Sequence, residues 1–333
     1  TRANTSAGSG FVTVAAWRDA DPDQFAAAVL NAADRLGVLP LAVEKDYWVC
    51  RVLGAITHAF PGRIIFKGGT SLEKLRIIRR FSEDLDLLVV GSYPSNRAAQ
   101  RGLKEIIDVA PVAGASSGGA PGAYHRSAYL TPPLQYSSEG AGVADAAAIL
   151  VELGQSGGPN PHAARVIESL LSRELGAAGF DIAAWSDLAP FRADILHPGR
   201  TLIEKLLRIN NFTSDAAARQ TAHGWVRIGR QFYDVWALLG TPEVLDFLAD
   251  KASAASVLAD CYRASRAFKP DMPVPDGGLA RSVAFDPEGP LAAELRTRHD
   301  QAMAGLYYGT DRPPSFDDVI HRVAANKLLL DIS

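Results

Sequence analysis

Phe66-Lys67-Gly68-Gly69-Thr70-Ser71-Leu72-Glu73-Lys74 and, a few residues later, Phe81-Ser82-Glu83-Asp84-Leu85-Asp86-Leu87-Leu88-Val89-Val90 form the stretch that decides the fold. Arg63 to Phe66 reads as a short buried strand, Lys67-Gly68-Gly69 as a tight turn, and Thr70 as the start of a helix, with Glu73 three residues on completing a capping box. Phe81 to Val90 is the clearest strand, with Leu85 and Leu87 alternating against Asp84 and Asp86. Residues two apart on a strand share a face, so the two carboxylates converge. Like charges held together repel, and a hard divalent cation such as Mg²⁺ removes that cost. On spacing alone, an exposed acidic edge accounts for the pair equally well. The upstream turn adds the second signal. A strand, two glycines and a Thr-Ser helix start aim backbone N–H groups at one point, and glycine lets a phosphate come close. Gly68, Gly69, Thr70 and Ser71 are therefore candidate triphosphate contacts beside metal candidates Asp84 and Asp86. Glu152, alone in the apolar run Ala148-Ile-Leu-Val-Glu-Leu153, is the candidate third carboxylate of a two-metal phosphoryl-transfer site. An outward-facing Glu on a one-sided strand is the plainer alternative.

Around this stretch the pattern predicts helices at 21–37, 41–60 and 96–109, a mobile small-residue loop at 110–123, and strands at about 124–136 and 146–153. A composition break at Gln155–His162 is taken as the boundary to a second half. That half is mostly helical, at 163–176, 201–211, 215–240, 243–265 and 289–305, with a Pro/Gly-rich surface excursion over 270–290. The expected organisation is a disordered lead at 1–20, an α/β (α+β) core with a small mixed sheet at 21–155, and a mainly helical domain at 156–333 that completes the site. Hydrophobic residues make up 47% of the 333 and charged residues 21%, the balance of a globular chain. Two cysteines are too few for a disulfide framework, no apolar run is long enough to span a bilayer, and the start lacks the apolar segment of a signal peptide. A cytoplasmic protein with no membrane association is the expectation. With a net charge of −3 the chain is no polycation. Nucleic acid would need a local basic surface, and Arg63, Lys67, Lys74, Arg76, Arg79 and Arg80 supply the candidate cluster.

The combined segments resemble the polymerase-β-type nucleotidyltransferases, and closely the AbiEii/AbiGii toxin family of type IV toxin–antitoxin and abortive-infection systems, to which the MenT toxins are related. Residues 66–90 carry the likeness, joined by Glu44-Lys45-Asp46-Tyr47-Trp48, Thr201-Leu202-Ile203-Glu204-Lys205-Leu206 and Arg230-Gln231-Phe232-Tyr233-Asp234. The resemblance implies that Asp84 and Asp86 hold Mg²⁺ (or Mn²⁺), that Ser71 and Ser82 lie at the nucleotide and metal, and that Lys205 holds its phosphates with Arg230 beside it. It makes Asp234 an acid essential to activity. It further implies an NTP substrate, a tRNA 3′ end or other RNA as acceptor, blocked translation and a cognate antitoxin. Gln231 departs from the family, which often has His there, and the 110–123 stretch has no trusted counterpart.

Without the resemblance the same residues have simpler readings. Thr201 and Glu204 form a capping box, Lys205 is a solvated helix lysine, Arg230 and Asp234 are an i,i+4 ion pair, and Tyr233 and Trp236 pack in a core. Lys45 and Asp46 sit on the solvated face of an amphipathic helix. Lys67, Lys74, Arg76, Arg79 and Arg80 either bind RNA phosphates or merely balance nearby acids. Two rival functions remain open. A small-molecule nucleotidyltransferase would share the aspartates but need an acidic pocket for a cationic acceptor. A silent relative would bind RNA or protein without catalysis.

Overall fold

The computed structural model describes residues 15–82, 84–118, 125–136, 147–155, 157–216, 219, 223–265 and 271–332. Its centre is a seven-stranded mixed sheet ordered β3-β4-β5-β2-β1-β7-β6. The strands are β1 Ile64–Lys67, β2 Leu85–Val89, β3 Gly114–Gly118, β4 His125–Leu130, β5 Ile149–Gly154, β6 His162–Ile167 and β7 Phe191–Leu196. β2 runs antiparallel to β1 and parallel to β5, while β1 runs parallel to β7.

One face of the sheet is apolar. Phe66, Leu85, Leu87, Ile149, Val151, Leu153 and Ile195 bury there against α2 (Pro22–Leu36), α3 (Pro40–Ala59), α5 (Asn96–Asp108) and α6 (Leu170–Ala177). On the other face a second core gathers α7 (Pro198–Ser214), α9 (Gly229–Leu238), α10 (Pro242–Ala249), α11 (Lys251–Ser265), α12 (Ala292–Leu306) and α13 (Phe316–Ala325). The short α1 (Trp17–Ala20), α4 (Gly68–Lys74) and α8 (His223–Val226) complete the helices. Leu72 and Ile78, from α4 and the turn after it, bury in this second core, so the Gly-Gly segment ties the two halves together. No single helix among the described residues is long and apolar enough to cross a membrane.

Several expectations need correction. The sheet does not stop at the 155–162 break: β6 and β7 lie beyond it, and residues 163–167, expected as helix, are strand. His162–Ile167 shows the alternating exposure of an edge strand, with Ile167 buried, and strand partners from β7 override the local pattern. Within 110–123, Gly114–Gly118 pairs with β4 as an edge strand, and 119–124 lies outside the described residues. Trp17 is buried, its N–H donating to Asp187 Oδ1 at 2.7 Å, so the lead is ordered from there, while residues 1–14 lie outside the described residues. Over 270–290, Leu279, Ala284 and Phe285 pack in the helical core rather than forming a surface excursion. Cys50 and Cys261 are buried thiols, as expected.

Candidate active site

Asp86 on β2 stands between Lys67 on β1 and Glu152 on β5, its partners in register. All three point to the face away from the apolar core, because their strand neighbours Phe66, Leu85, Leu87, Val151 and Leu153 are buried on the other side. Asp84, just before β2, joins them in a cleft of about 610 Å³. Burial and the neighbouring Asp86 charge push the Glu152 carboxyl up to about 7. Burial also raises Asp84, and nearby Arg230 offsets this only in part. The three carboxylates named from sequence thus line one cleft.

The Gly-Gly turn is shaped around them. Gly68 has φ +82°, and a Cβ there would collide with Asp86 Oδ2. At Gly69 a Cβ would come within 2.6 Å of Arg80 Nη2 and 3.0 Å of Ser82 Oγ. Thr70 does not cap the helix. Lys67 is the N-cap residue of α4, and the Thr70 hydroxyl donates to the Asp84 carbonyl at 2.6 Å while lying 3.0 Å from Ser82 Oγ. Ser71 is fully buried and donates to the Gly68 carbonyl at 2.9 Å, so both hydroxyls are occupied in fixing the turn. Glu73, the expected capping-box partner, instead accepts from Arg173 at 2.5 Å and from Tyr308 at 2.8 Å, and pairs with Lys74.

The opposite wall of the cleft is cationic. Lys205 and Arg208 come from α7, Arg227 from the turn after α8, and Arg230 from α9. Lys205 is nearly buried and donates to Gln231 Oε1 at 2.9 Å and to Asp234 Oδ2 at 2.6 Å, so it is a held lysine and not a solvated one. Burial lowers its pKa, outweighing the Asp234 charge. Asp234 pairs with Arg80 and not with Arg230: Arg80 Nε and Nη2 reach its two oxygens at 2.6 and 2.7 Å. Burial alone would raise Asp234, but Arg80 and Lys205 hold it down to about 2. Arg230 is left with a buried Nε that has no hydrogen-bond partner, and burial with the adjacent Arg80 lowers its pKa. Arg227 reaches Asp84 at 3.8 Å.

The basic cluster expected at Lys67–Arg80 is not one surface. Lys74 is buried between Asp46 and Glu73, and Arg80 is buried on Asp234. Arg76 and Arg79 are exposed but paired with Glu168 and Asp311. Arg63 stacks near Phe60 and Tyr93. Only Lys67 and Arg80 line the cleft, Arg80 from behind Gly69. Lys45 and Asp46 are likewise buried, not solvated, and Asp46 accepts from the Leu170 N–H at 2.6 Å. His197, not Thr201, is the N-cap of α7, accepting from the Gly199 N–H, and Glu204 pairs with Arg200 at 3.1 Å. Sequence reasoning missed Arg208 and Arg227. Their local signal is slight: the three-residue step from Lys205 to Arg208 sets that pair on one side of α7, while Arg227 lies in the turn before the helix that carries Arg230.

The donor chemistry fits a hard cation. Three carboxylates line one cleft close enough to feel each other's charge, and the glycine opposite leaves room for Asp86. Among the described residues no three acidic, His or Cys groups are spaced to enclose an ion by themselves, so an ion held there would need further ligands, such as phosphate or water.

A Gly-Gly turn facing an Asp-x-Asp strand on a mixed sheet, closed by a helical half, is the plan of a nucleotidyltransferase. The family described as nucleotidyl transferase AbiEii toxin, type IV TA system, matches residues 51–322. The chain belongs to that family, and is accordingly a nucleotidyltransferase of the toxin side of toxin–antitoxin systems. Among solved structures it is similar to MenT4, a nucleotidyltransferase toxin from Mycobacterium tuberculosis H37Rv, with TM-score 0.50 and 15% identity over 91% of this chain and 98% of that one. It is also similar to JHP933 from Helicobacter pylori, with TM-score 0.35 and 12% identity over 79% and 94% of the two chains. No curated protein sequence matches.

Proposed function

We propose that the chain transfers a nucleotide from an NTP to the 3′ end of a tRNA in a Mg²⁺-dependent reaction, blocks translation in the cytoplasm by doing so, and is restrained by a cognate antitoxin. One observation carries the reading: three carboxylates on the sheet face a wall of Lys205, Arg208, Arg227 and Arg230 across a single cleft. Carboxylates alone would repel a triphosphate, and cations alone would bind it without activating it.

Asp84, Asp86 and Glu152 would hold the ion, which when bound lends Lewis-acid activation of the reacting phosphate. The cationic wall binds the triphosphate, with the unpartnered Arg230 Nε supplying a donor. The acceptor hydroxyl attacks the α-phosphorus and gives up its proton to solvent as the new P–O bond forms, the bond from the α-phosphorus to the α–β bridging oxygen breaks, and pyrophosphate leaves against Lys205 and the arginines. Asp234 is fully buried and does not line the cleft. It positions Lys205 and Arg80, and through Arg80 the Gly69–Ser82 side of the turn. The cationic cleft favours a polyanionic acceptor over the cationic small molecule of the rival reading.

The test incubates the protein with Mg²⁺, total tRNA and each α-labelled NTP. Label should join tRNA, depend on Mg²⁺, and vanish when the tRNA 3′ diol is first oxidised with periodate. Label on a small molecule or on the protein alone, with none on tRNA, would refute the assignment.

A further inference from the structure

Beyond Glu152 the sheet side of the cleft changes character. Strands β3, β4 and β5 turn one face to α5 and the N-terminal helices: Ala128, Leu130, Ile149 and Val151 are buried there, and Arg126 reaches Gln100 of α5 at 3.3 Å. By alternation Ser127, Tyr129, Leu150 and Glu152 occupy the other face. The register sets Tyr129 against Leu150 and Ser127 against Glu152. Tyr129 is 49% exposed. It lines the same cleft as Asp84, Asp86 and Glu152, together with Leu150.

The two sides of the cleft therefore differ in what they can hold. Phosphate charge belongs on the helical wall with Lys205, Arg208, Arg227 and Arg230. The β4–β5 side offers a ring and a leucine, a surface suited to the flat face of a base. An attacking hydroxyl that meets a phosphate held by the helical wall approaches from the sheet, and its nucleoside then lies over β4 and β5. Aromatic rings on open sheets hold single-stranded bases by stacking, whatever the base.

We propose that Tyr129, flanked by Leu150, is the stacking platform for the terminal base of the RNA acceptor and positions the attacking hydroxyl beside Glu152. The assignment rests on transfer to RNA as read above. Its test is steady-state transfer by Tyr129→Ala and Tyr129→Phe with tRNA and NTP varied independently, alongside thermal unfolding. Tyr129→Ala should raise KM for tRNA about tenfold or more while KM for NTP stays within about twofold, and Tyr129→Phe should restore the RNA value. The unfolding midpoint should not move, because the ring is half exposed. An unchanged KM for tRNA, an effect on NTP instead, or a Phe variant as impaired as Ala would overturn the platform while leaving transfer to RNA standing. A wild-type protein that labels no RNA would remove the reading beneath it as well.

Discussion

Asp234 lies behind the cleft and holds two cations that line it. Both its oxygens are committed, to Arg80 and Lys205, in a fully buried position. Asp234→Ala leaves two buried cations without a counter-charge, and should cost about 3–5 kcal/mol in urea unfolding together with most of the transfer activity. The pH dependence follows from the depressed carboxyl. Its stabilisation is present above the ordinary aspartate pKa of 3.8 and is lost as pH falls through the folded value of about 2. Urea midpoints measured between pH 5 and pH 2 should fall more steeply for the wild type than for Asp234→Asn. Asp84 behaves oppositely, since burial raises its carboxyl by more than nearby Arg230 lowers it. Asp84→Asn removes a half-buried charge, so in metal-free buffer its thermal midpoint should equal or exceed the wild type while transfer falls by about 10³-fold or more. A variant retaining normal transfer would end the case for the carboxylate site.

The β1–α4 turn is the element that brings the pieces together. Its helix is short, and its hydroxyls face inward: Thr70 holds the main chain at Asp84, and Ser71 closes on Gly68. Gly68 needs both a left-handed backbone and an absent side chain. Gly68→Ala should therefore cost about 1–2 kcal/mol of stability and displace Asp86, with transfer lost well beyond what that stability change explains. Parallel measurement of the unfolding midpoint and of kcat on the purified variant separates the two effects. Next along the chain, residues 79–81 are pinned to the helical half: the Arg79 N–H donates to Tyr233 Oη at 2.8 Å and the Phe81 N–H to the Leu306 carbonyl at 2.8 Å. The segment that read as a basic surface is thus a strap between the two halves.

At the scale of the whole molecule, charge is distributed and not abundant. A chain of net charge −3 presents a concentrated cationic wall where α7, α8 and α9 meet the sheet. Arg227 is nearly half exposed, so salt screens it. KM for NTP should rise with ionic strength, and Arg227→Ala should raise it further at low salt while flattening that dependence, as initial rates at graded KCl would show. The wall also depends on helix packing behind it. Gly229 opens α9 against α12, where a Cβ would collide with the Arg298 carbonyl. Gly229→Ala should cost about 1–3 kcal/mol and weaken NTP binding in proportion to the displaced α9, measurable by calorimetric unfolding and by KM.

The sequence by itself determined which acids gather at the centre of the sheet: alternation placed Asp84 and Asp86 on one face opposite Leu85 and Leu87, the glycines marked a turn that must approach them, and Glu152 stood out as a charge in an apolar strand. These are local signals, because strand periodicity and glycine geometry act over a few residues. What only the tertiary structure decided depends on which distant segments meet. Strand β6 exists because β7 pairs with it, against a pattern that reads as helix. Lys74 and Arg80 are buried because Asp46 and Asp234 reach them from elsewhere in the chain, and no spacing in the sequence distinguishes a buried ion pair from a solvated cation. Arg208, Arg227 and Tyr129 acquire their place for the same reason, since a cleft between a sheet and a helical half is formed by contacts that neither half encodes alone.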